Sequence, residues 1–209
     1  MNNNSNSDTL SRKDRERQRH RHEIIEAAVH LFARNGFNET KLEDVAALAE
    51  FGKGTIYNYF ENKGDLLLSS IKFAIEDAQR YLQDQLRDVD DVIERLSLIV
   101  IAQFDYYDQN EDYMRLMVSQ HRNIVQEMTH MNNSGLYKEK LKLSNMLVKE
   151  FQRAIDTNRI KPGSAKSYTN YLLGMIHGQV RGLSSGEIEK DEINPKEIVD
   201  IFLYGASHA

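Results

Sequence analysis

Apolar residues recur along this chain at the spacing of helices, three and four residues apart, from Ile24 almost to the end. Ile24, Ala28, Leu31 and Phe32 make one stripe on a first helix expected from about Arg12 to Asn35, with Gly36 in the C′ position to stop it. A compact stretch of two short helices follows between Lys41 and Phe60. A long amphipathic helix then runs from Lys63 to about Arg87, with Leu66, Leu67, Ile71, Ile75, Ala78 and Leu82 inward. Further helices are expected over 90–108, 112–131, 135–158, 164–183 and 195–206. The short linkers between them are marked by Asn110, Asn132–Gly135, Asn158–Gly163 and Ser184–Asn194. No strand-like alternation runs long enough to compete, and no repeat of fixed period is visible. The pattern predicts an all-α protein of about nine helices.

Composition agrees. In 209 residues there are only two prolines, Pro162 and Pro195, so long runs of good helix formers go unbroken. The length allows one large domain or two small ones. There is no cysteine, which excludes disulfides, thiol nucleophiles and thiolate metal sites. No apolar run approaches the ~18–20 residues of a membrane span. The Asn/Ser-rich start lacks the apolar core of a secretory signal, so a cytoplasmic location is expected, with no membrane partner.

The formal net charge is −5, yet the charge is unevenly spread. Arg12, Lys13, Arg15, Arg17, Arg19 and Arg21 are opposed locally only by Asp14 and Glu16. One basic end on an acidic body suggests a localised polyanion contact; a solvated tail is the plainer alternative. Residues 1–10 are polar and low in complexity, as in disorder. Domain boundaries are accordingly drawn as a disordered basic arm at 1–17, a small helical domain at 18–66 and a larger helical domain at 67–209.

The chemistry concentrates at 41–60. Thr40 and Glu43 have capping-box spacing, opening a helix with Leu42, Val45, Ala46 and Ala49 inward. After a turn at Glu50–Gly52 a second helix carries Ile56 and Phe60 inward. Two short helices joined by a tight turn describe a helix-turn-helix. The outward face of the second then holds Lys53, Gly54, Thr55, Tyr57 and Asn58: a phosphate cation, a glycine permitting close backbone approach, and hydroxyl and amide groups suited to a major groove.

From Arg21 to Leu67 the chain resembles the DNA-binding domain of the tetracycline-repressor (TetR) family. The matching residues are Ile24-Ile25-Glu26-Ala27-Ala28, Leu31-Phe32, Gly36-Phe37, Thr40, Val45-Ala46 and Ala49. They continue through Lys53-Gly54-Thr55-Ile56-Tyr57-Asn58-Tyr59-Phe60 and Asn62-Lys63 to Leu66-Leu67. The likeness covers the first third of the chain. It implies that Lys53, Tyr57 and Tyr59 approach phosphates, that Gly54 and Thr55 face the bases, and that Thr40, Lys41 and Lys63 clamp the backbone. Tyr59 packed under the domain and Lys63 merely solvated are the alternatives. Two departures stand out: Glu50 where the family usually has glycine, and Gly52 where serine commonly caps the second helix. A left-handed Glu50 would cost about 1 kcal/mol, whereas glycine is an acceptable N-cap.

The resemblance implies that the remainder dimerises and binds a small effector, most often one that releases DNA. Independently, Gly174, Gly178 and Gly182 recur every four residues. Each costs about 1 kcal/mol in a helix interior, so the stripe suggests close helix contact, with a locally flexible helix as the alternative. Ile198, Ile201, Phe202 and Tyr204 would complete an intersubunit bundle. A two-fold homodimer would set two recognition helices on a pseudo-palindromic operator in double-stranded DNA. Phe104, Tyr107, Met114, Met117, His121, Tyr137, Tyr171 and Met175 are candidates for a mostly hydrophobic effector cavity, since methionine adapts to irregular shapes and tyrosine is amphipathic. Ordinary core packing suits each of them as well. Arg115, Arg122 and His177 are the groups able to meet an anionic end.

No catalytic residues, resident cofactor or metal are expected. Glu127 and His130 have the spacing of a di-iron bundle ligand pair, but a second pair is missing from the sequence. The expected function is a DNA-binding transcriptional regulator, a repressor released by a hydrophobic effector; the alternative is a DNA-binding dimer with no effector.

Overall fold

A computed structural model describes residues 11–119 and 135–205 of the chain, and every regular element among them is helical. In order they are α1 (Arg12–Asn35), α2 (Leu42–Leu48), α3 (Lys53–Ile56), α4 (Lys63–Gln85), α5 (Val92–Gln109), α6 (Glu111–Ser119), α7 (Gly135–Asp156), α8 (Ala165–Ser185), a 3₁₀ turn at Lys190–Glu192, and α9 (Pro195–Tyr204). The chain divides into two compact units, the second beginning at Ile71. No described helix is long and apolar enough to cross a membrane.

In the first unit, α1 begins earlier than a disordered arm at 1–17 allows. The Ser11 hydroxyl caps it, accepting from the Asp14 N–H at 3.1 Å and donating to its carboxylate at 2.6 Å. One N–H left orphaned by the helix end is thereby satisfied, and Asp14 places a negative charge in the first turn. The basic residues from Arg12 onward are therefore helical. At the other end Gly36 takes φ +80° and returns its N–H to the Phe32 carbonyl. Ile24, Ile25, Ala28 and Phe32 are fully buried, together with Val45 of α2 and Ile56 of α3. Each of the larger side chains contributes about 1.5–3 kcal/mol by leaving water.

Local detail at α2 departs from the capping-box expectation. The helix starts at Leu42, Lys41 is its N-cap, and no side chain caps it. Thr40 is buried instead, and its hydroxyl points back to the Gly36 and Leu31 carbonyls at 2.8 and 3.2 Å. Buried in the α1–α2 corner, the Thr40 hydroxyl needs an acceptor there, because leaving it unpaired would cost more than leaving the exposed start of α2 without a side-chain cap.

The second unit is built around α5, which packs on α7 and α9, while α8 packs on α7. Its core joins Leu96, Ile99 and Val100 with Leu147, Phe151, Leu172, Ile176 and Ile198. Side chains set the starts of three of these helices. Asp91 accepts from the N–H groups of Ile93 and Glu94, and Ser164 accepts from Ser167. Asn194 accepts from Lys196 and Glu197 ahead of α9, where Pro195 occupies the first turn. The hydrogen bond donated by the Glu94 N–H, then the Arg159 guanidinium and the Ile93 N–H, hold the Asp91 carboxyl below its ordinary range.

One polar assembly lies inside this apolar packing. Arg95 of α5 donates to Glu150 of α7 at 2.8 Å and to the Leu86 and Val89 carbonyls at 2.9 and 2.8 Å. Both side chains are largely buried, at 19% and 11% exposure. The second Glu150 oxygen has no hydrogen bond and sits 3.8 Å from the Arg153 guanidinium. Arg95 thus ties the turn before α5 to α7.

Candidate nucleic-acid interface

The reversal between α2 and α3 decides which side chains face outward. Ala49 ends α2, and the backbone turns through Glu50 at φ +59°. The Phe51 N–H reaches the Ala46 carbonyl at 2.8 Å and the Glu50 N–H reaches Ala47 at 3.2 Å. This is a Schellman turn, which normally favours glycine at the left-handed position. Gly52 then serves as N-cap of α3. Regular helix covers only Lys53–Ile56; beyond it, turns of three-residue span from Thr55 to Asn58 and Ile56 to Tyr59 carry the chain onward.

With Ile56 and Phe60 anchored in the core, Lys53, Gly54, Tyr57 and Asn58 are exposed and Thr55 is half-buried. A Cβ added at Gly54 would meet nothing in the protein, so a side chain is missing there only on the outward side. Lys41, at the mouth of α2, is also exposed. Hydroxyl, amide and backbone groups thus stand together beside cations, in an arrangement able to hold phosphates and reach base edges.

Besides Thr40, three of the expected contact residues have side-chain partners within the unit. Lys53 is ion-paired with Glu43, the carboxylate held below its ordinary range and the ammonium above it, mainly by the hydrogen bond between them. Lys63 donates to the Thr40 and Asn38 carbonyls at 2.9 and 3.1 Å and lies over the Phe37 ring, 4.5 Å from its centre. The Tyr59 hydroxyl lies 3.2 Å from Nδ1 of His20, and the Arg17 guanidinium sits 5.5 Å from its ring centre. Arg17 also donates to the Asn58 carbonyl at 3.4 Å. Arg21 donates to Ser69 at 3.0 Å and covers the Phe60 ring. Sequence reasoning starts a helix at about Arg12 while drawing a disordered basic arm over 1–17, and treats Glu43 as a capping residue. The alternation of arginines along one helix start is visible in the sequence, but their attachment to the segment following α3 is not.

The candidate effector residues are dispersed. Phe104 is buried, and Tyr107 and Met114 pack half-buried against the second unit's core. Burial pushes the Tyr107 phenol pKa upward. Met117 is half-buried. Tyr171 and Met175 instead line an open groove of about 1030 Å³, with Ile160, Tyr168, Phe202 and Tyr204. Arg115 is paired with Glu111 at 2.6 Å and His177 is exposed. His121, Arg122, Glu127 and His130 lie outside the described residues, as does the side chain of Tyr137. Among the described residues no group of three metal-ligating side chains occurs.

Of the expected dimer residues, Gly174 and Gly178 face open space on α8, beside exposed Tyr171. Gly182 has a different surrounding: an added Cβ would lie 2.5 Å from Ile188 of the same chain. Ile198 is buried in the unit's own core, and Phe202 packs on Phe151 with ring centres 5.5 Å apart. Ile201 and Tyr204 are the apolar side chains α9 leaves exposed, Tyr204 at 76%.

A helix-turn-helix with an outward polar surface, followed by a larger helical unit, defines a DNA-binding regulator. Residues 24–69 match the family model described as bacterial regulatory proteins, tetR family. The Fatty acid metabolism regulator protein of Bacillus subtilis (strain 168) is 25% identical over 168 residues, covering 80% of this chain and 70% of that one. The negative transcriptional regulator IcaR of the icaADBC biofilm operon in Staphylococcus aureus (strain Newman) is 26% identical over 154 residues, covering 72% and 77%. In fold, the chain is similar to the fatty acid degradation regulator FadR from Bacillus halodurans, with a TM-score of 0.78, 19% identity, and coverage of 90% and 97%. It is also similar to FadR from Bacillus subtilis in complex with stearoyl-CoA, with a TM-score of 0.71, 20% identity, and coverage of 89% and 99%. Residues 24–69 thus carry the DNA-binding domain of the tetR family of bacterial regulatory proteins, and the relatives similar over most of the chain are transcriptional regulators.

Proposed function

We propose that the chain is a transcriptional repressor that binds a pseudo-palindromic operator as a homodimer and is released by a long-chain acyl thioester. The observation that carries the DNA-binding part is the outward surface at Lys53–Asn58, displayed over the Ile56 and Phe60 anchors. Direct contacts are assigned to Lys41, Gly54, Thr55, Tyr57 and Asn58, with Lys53 contributing once its bond to Glu43 is exchanged. Thr40, Tyr59 and Lys63 support that surface through the contacts described above. The helical basic segment at Arg12–Arg19 extends the contact to flanking phosphates.

For dimerisation, the supporting features are the open glycines Gly174 and Gly178 with exposed Tyr171, Ile201 and Tyr204. Monomeric proteins seldom leave such aromatic and aliphatic side chains grouped in water. The effector class rests on the relative named for fatty acid metabolism, whose similarity runs through both units of this chain. A thioester that favours one arrangement of the dimer over another would shift the population away from the DNA-competent state.

The test has three readouts: light scattering for mass, anisotropy on a duplex selected from random sequence, and titration of palmitoyl- and stearoyl-CoA into the complex. A dimer that leaves the duplex as acyl-CoA is added supports the whole reading. A protein that binds the duplex but ignores acyl thioesters of every chain length favours an effector-independent regulator.

A further inference from the structure

Glu43 brings a carboxylate to the surface through which a helix-turn-helix meets DNA. It sits in the first turn of α2, Lys53 opens α3, and the Glu50 turn brings them into contact. Both side chains are about half exposed, at 53% and 54%, so the pair is open to competition from outside. Around it stand exposed Lys41, Gly54, Tyr57 and Asn58. A negative group here works against affinity for any polyanion, and neither side chain is needed by the core.

We propose that Glu43 is a specificity-determining residue of the DNA-binding surface, where it holds Lys53 away from phosphates and so weakens binding to DNA that offers nothing but its backbone. This rests on the DNA-binding reading above. Non-specific binding is almost wholly electrostatic, arising when cations displace counterions from phosphates. Lys53 already has an internal counterion in Glu43. Transferring it to a phosphate strands the carboxylate a few ångströms from the duplex, where like charges repel. At about 4 Å and a dielectric near that of bulk water that repulsion amounts to about five- to tenfold in affinity.

A matched operator offsets the penalty in two ways. Base-edge contacts from Thr55 and Asn58 add attractions absent from random DNA. The pair itself has acceptable partners in a groove, since lysine donates to guanine O6 and N7 and a carboxylate accepts from cytosine N4. The carboxylate therefore costs most where bases do not match.

The experiment compares the full-length protein with Glu43→Gln on two probes: a random-sequence duplex pool, and the duplex enriched from that pool by the wild-type protein. The substitution is expected to raise affinity for the random pool about five- to tenfold. It should also steepen the dependence of log K on log salt by about 0.9 for the one phosphate newly engaged. Affinity for the enriched duplex should change by less than about twofold. In a Lys53→Gln background the gain on random DNA should shrink to less than about twofold, which separates action through Lys53 from simple loss of a surface charge. An equal gain on both probes, no gain on random DNA, or an undiminished gain without Lys53 overturns the proposal. A wild-type protein that binds neither probe overturns the DNA-binding reading, an outcome distinct from a failure of discrimination alone.

Discussion

Among the described residues the same chain reversal is made three times with three different residues, and the contrast separates the two units. In the second unit, α7 ends at Asn158 with φ +53° and α8 at Gly186 with φ +72°, the residue types that tolerate a left-handed backbone. In the first unit, α2 ends the same way on Glu50 at φ +59°. All three share the hydrogen-bond pattern, with N–H groups reaching back five and three residues: Phe51 to Ala46, Arg159 to Ala154 and Glu187 to Gly182 for the longer bond. The second unit therefore builds its turns from unstrained residues. The DNA-binding unit accepts local strain because the packing of Val45 before the turn and Ile56 after it leaves the chain no other course. One ion pair from each unit shows a parallel contrast: Glu43–Lys53 in the first is outward and exchangeable, whereas Arg95–Glu150 in the second is inward and fixed.

The largest effect should come from the inward pair. Arg95→Ala leaves Glu150 buried without its partner and releases the Leu86 and Val89 carbonyls, at an expected cost of about 3–5 kcal/mol in urea denaturation. Replacing both residues, Arg95→Met with Glu150→Leu, should recover most of that loss. A single mutant no less stable than the double would show the pair to be solvated. Next, Ile56→Ala empties a fully buried site under α3 and should cost about 2–5 kcal/mol while abolishing DNA binding. Retained binding would mean that α3 is oriented without its anchor.

Neutralising the basic start of α1 with Arg12→Gln, Lys13→Gln and Arg15→Gln should reduce the salt dependence of operator binding by about 0.9 for each phosphate no longer engaged. Melting temperature should stay level or rise slightly, since cations oppose the helix dipole at this end. An unchanged salt slope would make the segment a support for the helix-turn-helix alone. Glu50→Gly relieves about 1–2 kcal/mol of left-handed strain and loses about 0.5–1 kcal/mol to glycine's entropy, for a net gain of about 0.5–1 kcal/mol. A lower melting temperature would show that the Glu50 side chain stabilises the turn.

The smallest effect is a pH dependence. Burial, and then the hydrogen bond to Asp77 at 2.9 Å, raise the Tyr106 phenol pKa above its ordinary value. A raised folded pKa means its contribution is complete below the unfolded value and is lost as pH climbs past it. At pH about 10 the loss should be about 0.4 kcal/mol, steepening above that. Tyr106→Phe should flatten the difference, and parallel curves for the two proteins would refute the linkage.

Much of this architecture is legible in the order of residues. The expected start and end of α1, the breaks at Asn158 and Ser184–Asn194, and the inward positions of Ile56 and Phe60 follow from periodicity and from what glycine, asparagine and proline do to a backbone. The candidate interface residues stand out by type and spacing, because touching phosphates and bases restricts which side chains can serve. The second unit is legible as helices but not as a site. Phe104, Tyr107 and Met114 have the composition of a cavity wall and pack against a core, and periodicity is blind to that difference.

What the sequence determined by itself was local: which segments are helical, where they stop, and that Lys53, Gly54, Tyr57 and Asn58 fall outward where Ile56 and Phe60 fall inward. Tertiary structure alone decided the partners. Thr40 turned inward to buried carbonyls, and Lys63 was drawn to the same corner. Arg17 and His20 reached Asn58 and Tyr59 across about forty positions of chain, and Glu43 met Lys53. The reason is physical. Helix propensity acts over a few neighbouring residues, whereas a charge or hydroxyl bonds with whatever the folded chain places within about 3 Å, and that neighbour is set by how the helices of its unit pack together.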